Sequence, residues 1–150
     1  PFKIDLDADK REESKDVSEK SIKGMHVLLA EDNELNMEIA EFLLQNEGAE
    51  VTKAWNGQEI VELFRKSEAG EFDVILMDIM MPIINGYEAT KRIRSLDRED
   101  AKKIPIIAMT ANAFTEDRIR AKEAGMDEHV AKPIDVELLI KVIHKLVKHN

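Results

Sequence analysis

Five polar residues of this 150-residue chain stand directly behind short apolar runs. Glu31 and Asp32 follow residues 25–30, Asp78 follows 74–77, Thr110 follows 104–109, and Lys132 follows 127–131. If those runs are parallel strands, their carboxyl ends share one edge and the five groups meet in one crevice. Three carboxylates so placed repel one another severely unless a cation lies among them. Oxygen ligands of this kind suit Mg²⁺, which ordinarily takes one or two carboxylates, several waters and a substrate phosphate. Lys132 adds a mobile point charge suited to phosphate, and Thr110 adds a hydroxyl donor. Such a set can stabilise a phosphoryl group in transfer, with Asp78 as its covalent acceptor. Asp78 alone would say little, because a strand-ending aspartate is as often a helix cap or turn former. The convergence of five groups gives the functional reading its weight.

The elements that must position these groups are legible from patterning. The central run, Val74-Ile75-Leu76-Met77 before Asp78, has the continuous apolar character of a fully buried strand, and Pro82 and Gly86 follow it. Further strands are predicted at 25–30, 50–54, 104–109 and 127–131. Helices are predicted from Asn33 as N-cap to about Gly48, from Asn56-Gly57-Gln58-Glu59 to about Glu68, over 85–95, over 114–124 closed by Gly125, and over 136–148 behind Asp135. Five strands alternating with five helices imply an α/β fold with a parallel sheet covered on both faces by right-handed crossovers. Periodicity does not separate the two common open-sheet strand orders.

Composition narrows the function classes. The net charge of −9 argues against a general nucleic-acid or anionic-membrane surface. The absence of cysteine excludes disulfides, thiol catalysis and cysteine-ligated metals, and fits a reducing, cytoplasmic setting. No apolar run approaches the roughly 18 residues needed to span a bilayer, so no membrane contact is expected from this segment. Residues 1–24 differ from the rest. Phe2, Ile4 and Leu6 alternate with polar residues, and a strongly charged stretch from Asp7 to Lys20 follows, which is expected to be a flexible linker to a domain over 25–150.

The stretches Leu29-Ala30-Glu31-Asp32-Asn33, Met77-Asp78-Ile79-Met80-Met81-Pro82 with Gly86, Ala108-Met109-Thr110-Ala111 and Ala131-Lys132-Pro133 together resemble the receiver domain of two-component response regulators. The resemblance covers Met25 to about Lys148. It implies a flavodoxin-like sheet of order 2-1-3-4-5, with Asp78 as phosphoacceptor. It also implies that Mg²⁺ is held by Glu31, Asp32, Asp78 and the backbone carbonyl of Met80. Thr110 and Lys132 would contact the phosphoryl oxygens, and the Lys132–Pro133 bond would be cis. Two features depart from the common pattern. The acidic pair is Glu-Asp rather than Asp-Asp, and His129 stands three residues before Lys132, where Tyr or Phe is frequent. Thr110 and His129 are thus candidate switch residues, with His129 equally consistent with a half-buried strand residue.

The expected partner is a histidine kinase or a histidine phosphotransfer domain. The opening Pro1-Phe2-Lys3-Ile4-Asp5 resembles the stretch after the ATP-binding domain of hybrid histidine kinases, which points to the receiver of such a kinase. A free-standing regulator is the alternative. An aspartyl phosphatase is disfavoured because Met80 stands where a second acid would protonate the leaving group. A nucleotide- or flavin-binding module is disfavoured because strand one is followed by Glu31-Asp32-Asn33-Glu34, without glycine. In the first helix, Met37, Ala40 and Leu44 form one stripe while Leu35, Ile39 and Phe42 form another, either a partner surface or a flank buried against a neighbour. Trp55 is expected to pack where strand two meets its helix, Met77, Met80 and Met81 to be core and loop packing, and His144 and His149 to lie on the surface.

Overall fold

The β-branched, apolar run Val74–Asp78 forms the middle strand of a sheet whose order is β2-β1-β3-β4-β5, with every pairing parallel. The computed structural model describes residues 21–111 and 115–148. Along the chain come β1 (His26–Ala30), α1 (Glu34–Asn46), β2 (Glu50–Ala54), α2 (Gly57–Lys66), β3 (Val74–Asp78), α3 (Gly86–Arg94), α4 (Glu99–Lys103), β4 (Ile106–Thr110), α5 (Thr115–Ala124), β5 (Glu128–Ala131) and α6 (Val136–Lys148). The fold is the flavodoxin-like one that the motifs implied. Of the linker expected over residues 1–24, residues 1–20 fall outside the described residues, as does His149, whereas 21–24 pack onto the domain.

Six helices are described where five were expected. The extra one, α4, is a single turn with no apolar periodicity to announce it. Glu99 and Asp100 open it and Lys102 and Lys103 close it, matching the sign of the helix dipole at each end. Arg98, just before it, pairs with Asp100 at 2.7 Å and donates to the carbonyls of Phe64 and Ser67. Its guanidinium also lies 4.7 Å from the centre of the Phe64 ring. Charge pairing and the burial of Ala101 and Ile104 in the core together hold this turn.

Caps set the other helix starts. Asn33, Asn56 and Asn85 each accept a hydrogen bond from the backbone N–H three residues on. Glu59 returns the favour to Trp55 rather than to Asn56, accepting from its N–H at 2.6 Å.

Two cores flank the sheet. Met37, Ala40 and Leu44 of α1 pack with Leu139 and Ile143 of α6 on one face; Ile60, Phe64, Ile93 and Ala121, from α2, α3 and α5, pack on the other. Ile22 is fully buried on the α1–α6 side. Beside it, the Gly24 N–H donates to Gly48 and the carbonyl of Ser21 lies 2.9 Å from His144 Nε2. His144 is therefore not the surface group expected, because its ring is drawn in to meet this carbonyl. The Lys132–Pro133 bond is cis, as expected.

One close approach ties the α2 start to the β3–α3 loop. A Cβ on Gly57 would collide with the carbonyl oxygen and carbonyl carbon of Ile84, so only glycine lets these backbones meet. Gly57→Ala is expected to lower stability by about 1–3 kcal/mol, the usual cost of overpacking against backbone, measured by urea unfolding. An unchanged midpoint would refute the contact.

Candidate functional site

The register of the sheet brings four strand ends together. Ala30 pairs with Ala54 and Met77, Asp78 with Met109, and Thr110 with Ala131. Glu31 and Asp32 extend β1, and Lys132 leaves β5 with its N–H donating to the Thr110 carbonyl at 2.8 Å. The five residues singled out by spacing thus lie on one edge.

Lys132 is the hub. Its Nζ lies 3.0 Å from Glu31 Oε1 and 3.1 Å from Asp78 Oδ2. Glu31 and Asp78 are only 3% and 2% exposed. Each has a backbone partner as well: Asn33 N–H donates to Glu31 Oε2 at 3.1 Å, and Met80 N–H donates to Asp78 Oδ1 at 3.2 Å. Asp32 is exposed. Burial, and then the charge of Glu31, push the Asp78 carboxyl up to about 7 against the opposing pull of Lys132 and the Met80 N–H. Burial also works against the ammonium of Lys132, but its bonds to Glu31 and Asp78 outweigh this and raise its pKa above the ordinary value.

The donor chemistry fits a hard divalent cation. Glu31, Asp32 and Asp78 each offer a carboxylate oxygen, all within 4.8 Å of one another. All-oxygen donors with one carboxylate open to water match the preference of Mg²⁺ for a partly hydrated site. Gly86 keeps the floor of the site tight. Its N–H donates to the Ile79 carbonyl at 2.8 Å, and a Cβ there would come within 2.5 Å of the Asp78 carbonyl oxygen.

The remaining expected residues divide. Thr110 is buried at the end of β4. His129 is half-buried on β5, outside the carboxylate cluster, and its Nε2 accepts from Arg118 Nε at 2.9 Å. Leu35, Ile39 and Phe42 are 64, 46 and 66% exposed, so this stripe is not a flank buried against a neighbouring helix. Ile39 borders a small cleft shared with Glu31, Lys132, Pro133 and Ile134. Met80 departs from its packing role: Met77 and Met81 are buried but Met80 is 75% exposed, because the chain turns outward once Asp78 has been placed. Trp55 sits at the β2–α2 junction with part of its ring exposed. Sequence reasoning missed the Asn33 N–H as the group that orients Glu31. The capping role of Asn33, two residues on, was the signal available.

Comparison with known proteins agrees with this geometry. Residues 27–144 match the family model described as response regulator receiver domain. Histidine kinase 1 of Arabidopsis thaliana is 34% identical over 87% of this chain, which spans 13% of that kinase's length. The receiver domain of sensor histidine kinase PA1611 from Pseudomonas aeruginosa PAO1, crystallised with magnesium in its active-site cleft, is 35% identical. The two superpose with a TM-score of 0.74 over 83% of this chain and 98% of that one. The Saccharomyces cerevisiae receiver domain of Ssk1, solved with the histidine phosphotransfer protein Ypd1, is 28% identical, with a TM-score of 0.73 over 84% and 90% of the two chains. Among the described residues, no helix is long and apolar enough to cross a membrane.

The strained electrostatics of Asp78 predict a pH-dependent gain on neutralising it. Its folded pKa lies above its unfolded one, so the ionised folded form costs stability. That cost is absent below about pH 4 and complete above about pH 7. In EDTA, Asp78→Asn is expected to be more stable than the parent at pH 8, by on the order of 2 kcal/mol, with the difference shrinking towards pH 4. Thermal melts across this range would detect it; a variant less stable at pH 8 would contradict the assignment.

Proposed function

The chain belongs to the response regulator receiver family, and from that membership we propose that Asp78 accepts a phosphoryl group from a phosphohistidine on a partner protein. The observation that supports this most directly is the placement of Lys132 Nζ, within 3.1 Å of both Glu31 and Asp78. It is a cation already poised over two buried carboxylates that lie side by side, of which Asp78 ends the central strand. The magnesium-bound Pseudomonas receiver and the Ypd1 complex of the yeast receiver support the same cofactor and partner class here.

In the proposed step, a carboxylate oxygen of Asp78 attacks phosphorus. The new O–P bond forms as the N–P bond breaks; the electron pair returns to the imidazole nitrogen, which then takes up a proton. Asp32, Asp78, Glu31 and the Met80 carbonyl would hold Mg²⁺, which when bound supplies positive charge against the transferred group's oxygens. Lys132 gives up part of its pairing with Asp78 and Glu31 to meet the phosphoryl oxygens, and the Thr110 hydroxyl donates to the same group. Because the positive groups are in place beforehand, little reorganisation opposes transfer. Thr110 and His129 form the switch that senses the modification. Leu35, Ile39 and Phe42 form part of the donor's landing surface. The wider setting is the receiver of a hybrid histidine kinase, supported by the kinase relatives and by the resemblance of the opening residues.

Incubation with acetyl phosphate and Mg²⁺ is expected to add one acid-stable, hydroxylamine-labile phosphoryl group, seen as a single mass increment. Asp78→Asn should abolish it, and Asp32→Ala should reduce its rate by at least about 10², the scale of losing a group that stabilises developing charge. Labelling of Asp78→Asn at the parental rate would remove Asp78 from the role.

A further inference from the structure

The strand β5 stands at one end of the sheet order, so its outer flank is left without a strand partner among the described residues. Between this strand and α5 lies a cavity of about 370 Å³. It is lined by Arg118, Ile119, Ala121 and Lys122 of α5 and by the chain from Met126 to His129. Its volume falls in the range of sites that take small organic ligands. It shares no residue with the cluster of Glu31, Asp32, Asp78 and Lys132. Part of its wall is apolar: Ala121 and Met126 are buried, and Ile119 is 52% exposed.

The lining holds Asp127 and Glu128 against Arg118 and Lys122, yet the charges do not cancel within it. Asp127 Oδ2 is taken by Arg94 Nη2 at 2.9 Å and by the Ile106 N–H at 2.9 Å. Glu128 Oε2 is taken by Lys145 Nζ at 3.0 Å. Neither Arg94 nor Lys145 lines the cavity, so both acids are neutralised from outside it. Arg118 and Lys122 have no carboxylate partner among the described residues. Arg118 donates from Nε to His129 Nε2 at 2.9 Å. An imidazole nitrogen that accepts carries no proton, so this bond leaves the cationic charge of Arg118 unopposed. It also anchors the guanidinium while both Nη groups stay unmatched among the described residues.

We propose that this cavity binds a small phosphate monoester carried on a ring, with the phosphate between Arg118 and Lys122 and the ring against Ile119 and Met126. A phosphate monoester carries close to two negative charges at neutral pH, which matches the two cations left without acids. The guanidinium fork grips two of its oxygens, and the ammonium of Lys122 adds a point charge. A carboxylate would leave one cation unmatched, and inorganic phosphate would leave the apolar wall in water. His129 stands three residues before Lys132. A ligand held by Arg118 is therefore one hydrogen bond away from the strand that leads to the cation of the carboxylate cluster. The proposal does not depend on Asp78 being the phosphoacceptor.

The test follows amide chemical shifts of the whole chain in EDTA during titration with phenyl phosphate, inorganic phosphate or benzoate. Phenyl phosphate should bind at least about tenfold more tightly than either of the others, because only it offers both the dianion and the ring. Its shifts should centre on residues 118–129. Arg118→Gln and Lys122→Gln should each weaken it by at least about fivefold, the scale of losing one charge-assisted contact. Ile119→Ser should bring phenyl phosphate down to the affinity of inorganic phosphate and leave inorganic phosphate unchanged. All three side chains are exposed, so these substitutions leave both cores intact, and an unaltered parental spectrum away from the cavity checks this. Equal affinity for the three anions would overturn the proposal. So would shifts centred on Lys132 and Asp78, or binding that is indifferent to Arg118→Gln and Lys122→Gln.

Discussion

Negative charge gathered at one edge of a sheet is the constraint on which the rest of this structure depends. Asp78 and Glu31 are nearly inaccessible to water, and their proximity alone would drive one of them to protonate. Lys132 answers part of that demand from across β3 and β4, and Asp32 leaves the site open to a hydrated cation. A parallel sheet is what allows this, because it delivers carboxyl ends from β1, β3, β4 and β5 to one edge without requiring their sequences to be close. The raised pKa of Asp78 measures what remains unsatisfied. The site is tense without an added cation, and a hydrated divalent cation held by these carboxylates would relieve that tension.

The scaffold holds this tension by being inflexible where the groups are anchored. Every residue of β3 and β4 is buried, so neither strand can shift without opening both cores. Gly86 lets the chain return over the end of β3 within hydrogen-bonding distance of Ile79. Gly57 brings the α2 start against Ile84 in the same loop. The loop behind Asp78 is thereby braced from two directions.

Most of the fold and the chemical cluster were legible in the sequence for a physical reason. Buried parallel strands are short, apolar and bounded by polar residues, so their ends mark the functional edge as they mark the fold. Asn33, Asn56 and Asp135 announced helix starts through their own hydrogen-bonding chemistry. What escaped was set by contacts distant in sequence. The turn α4 depends on Arg98 reaching Phe64 and Ser67, and His144 turns inward to a carbonyl some 120 residues away. Met80 looked like its buried neighbours Met77 and Met81 because composition does not reveal the direction in which a loop leaves a strand. The stripe of Leu35, Ile39 and Phe42 was visible, but only burial could separate a partner surface from a packed flank.

The position of His129 bears on how a change at Asp78 could leave the site. Ala108 pairs with His129 and Thr110 with Ala131, so a movement of Thr110 is felt two residues along the neighbouring strand. An aromatic hydrocarbon at this position would turn inward with only solvent and packing terms to overcome. An imidazole turning inward here would also have to break its charge-assisted bond with Arg118, a contact at 2.9 Å worth about 1–2 kcal/mol. That bond ties the imidazole to α5, on which Arg118 sits. Histidine at this position therefore ties the state of β5 to the neighbouring helix through a hydrogen bond, where a phenylalanine could act only through packing.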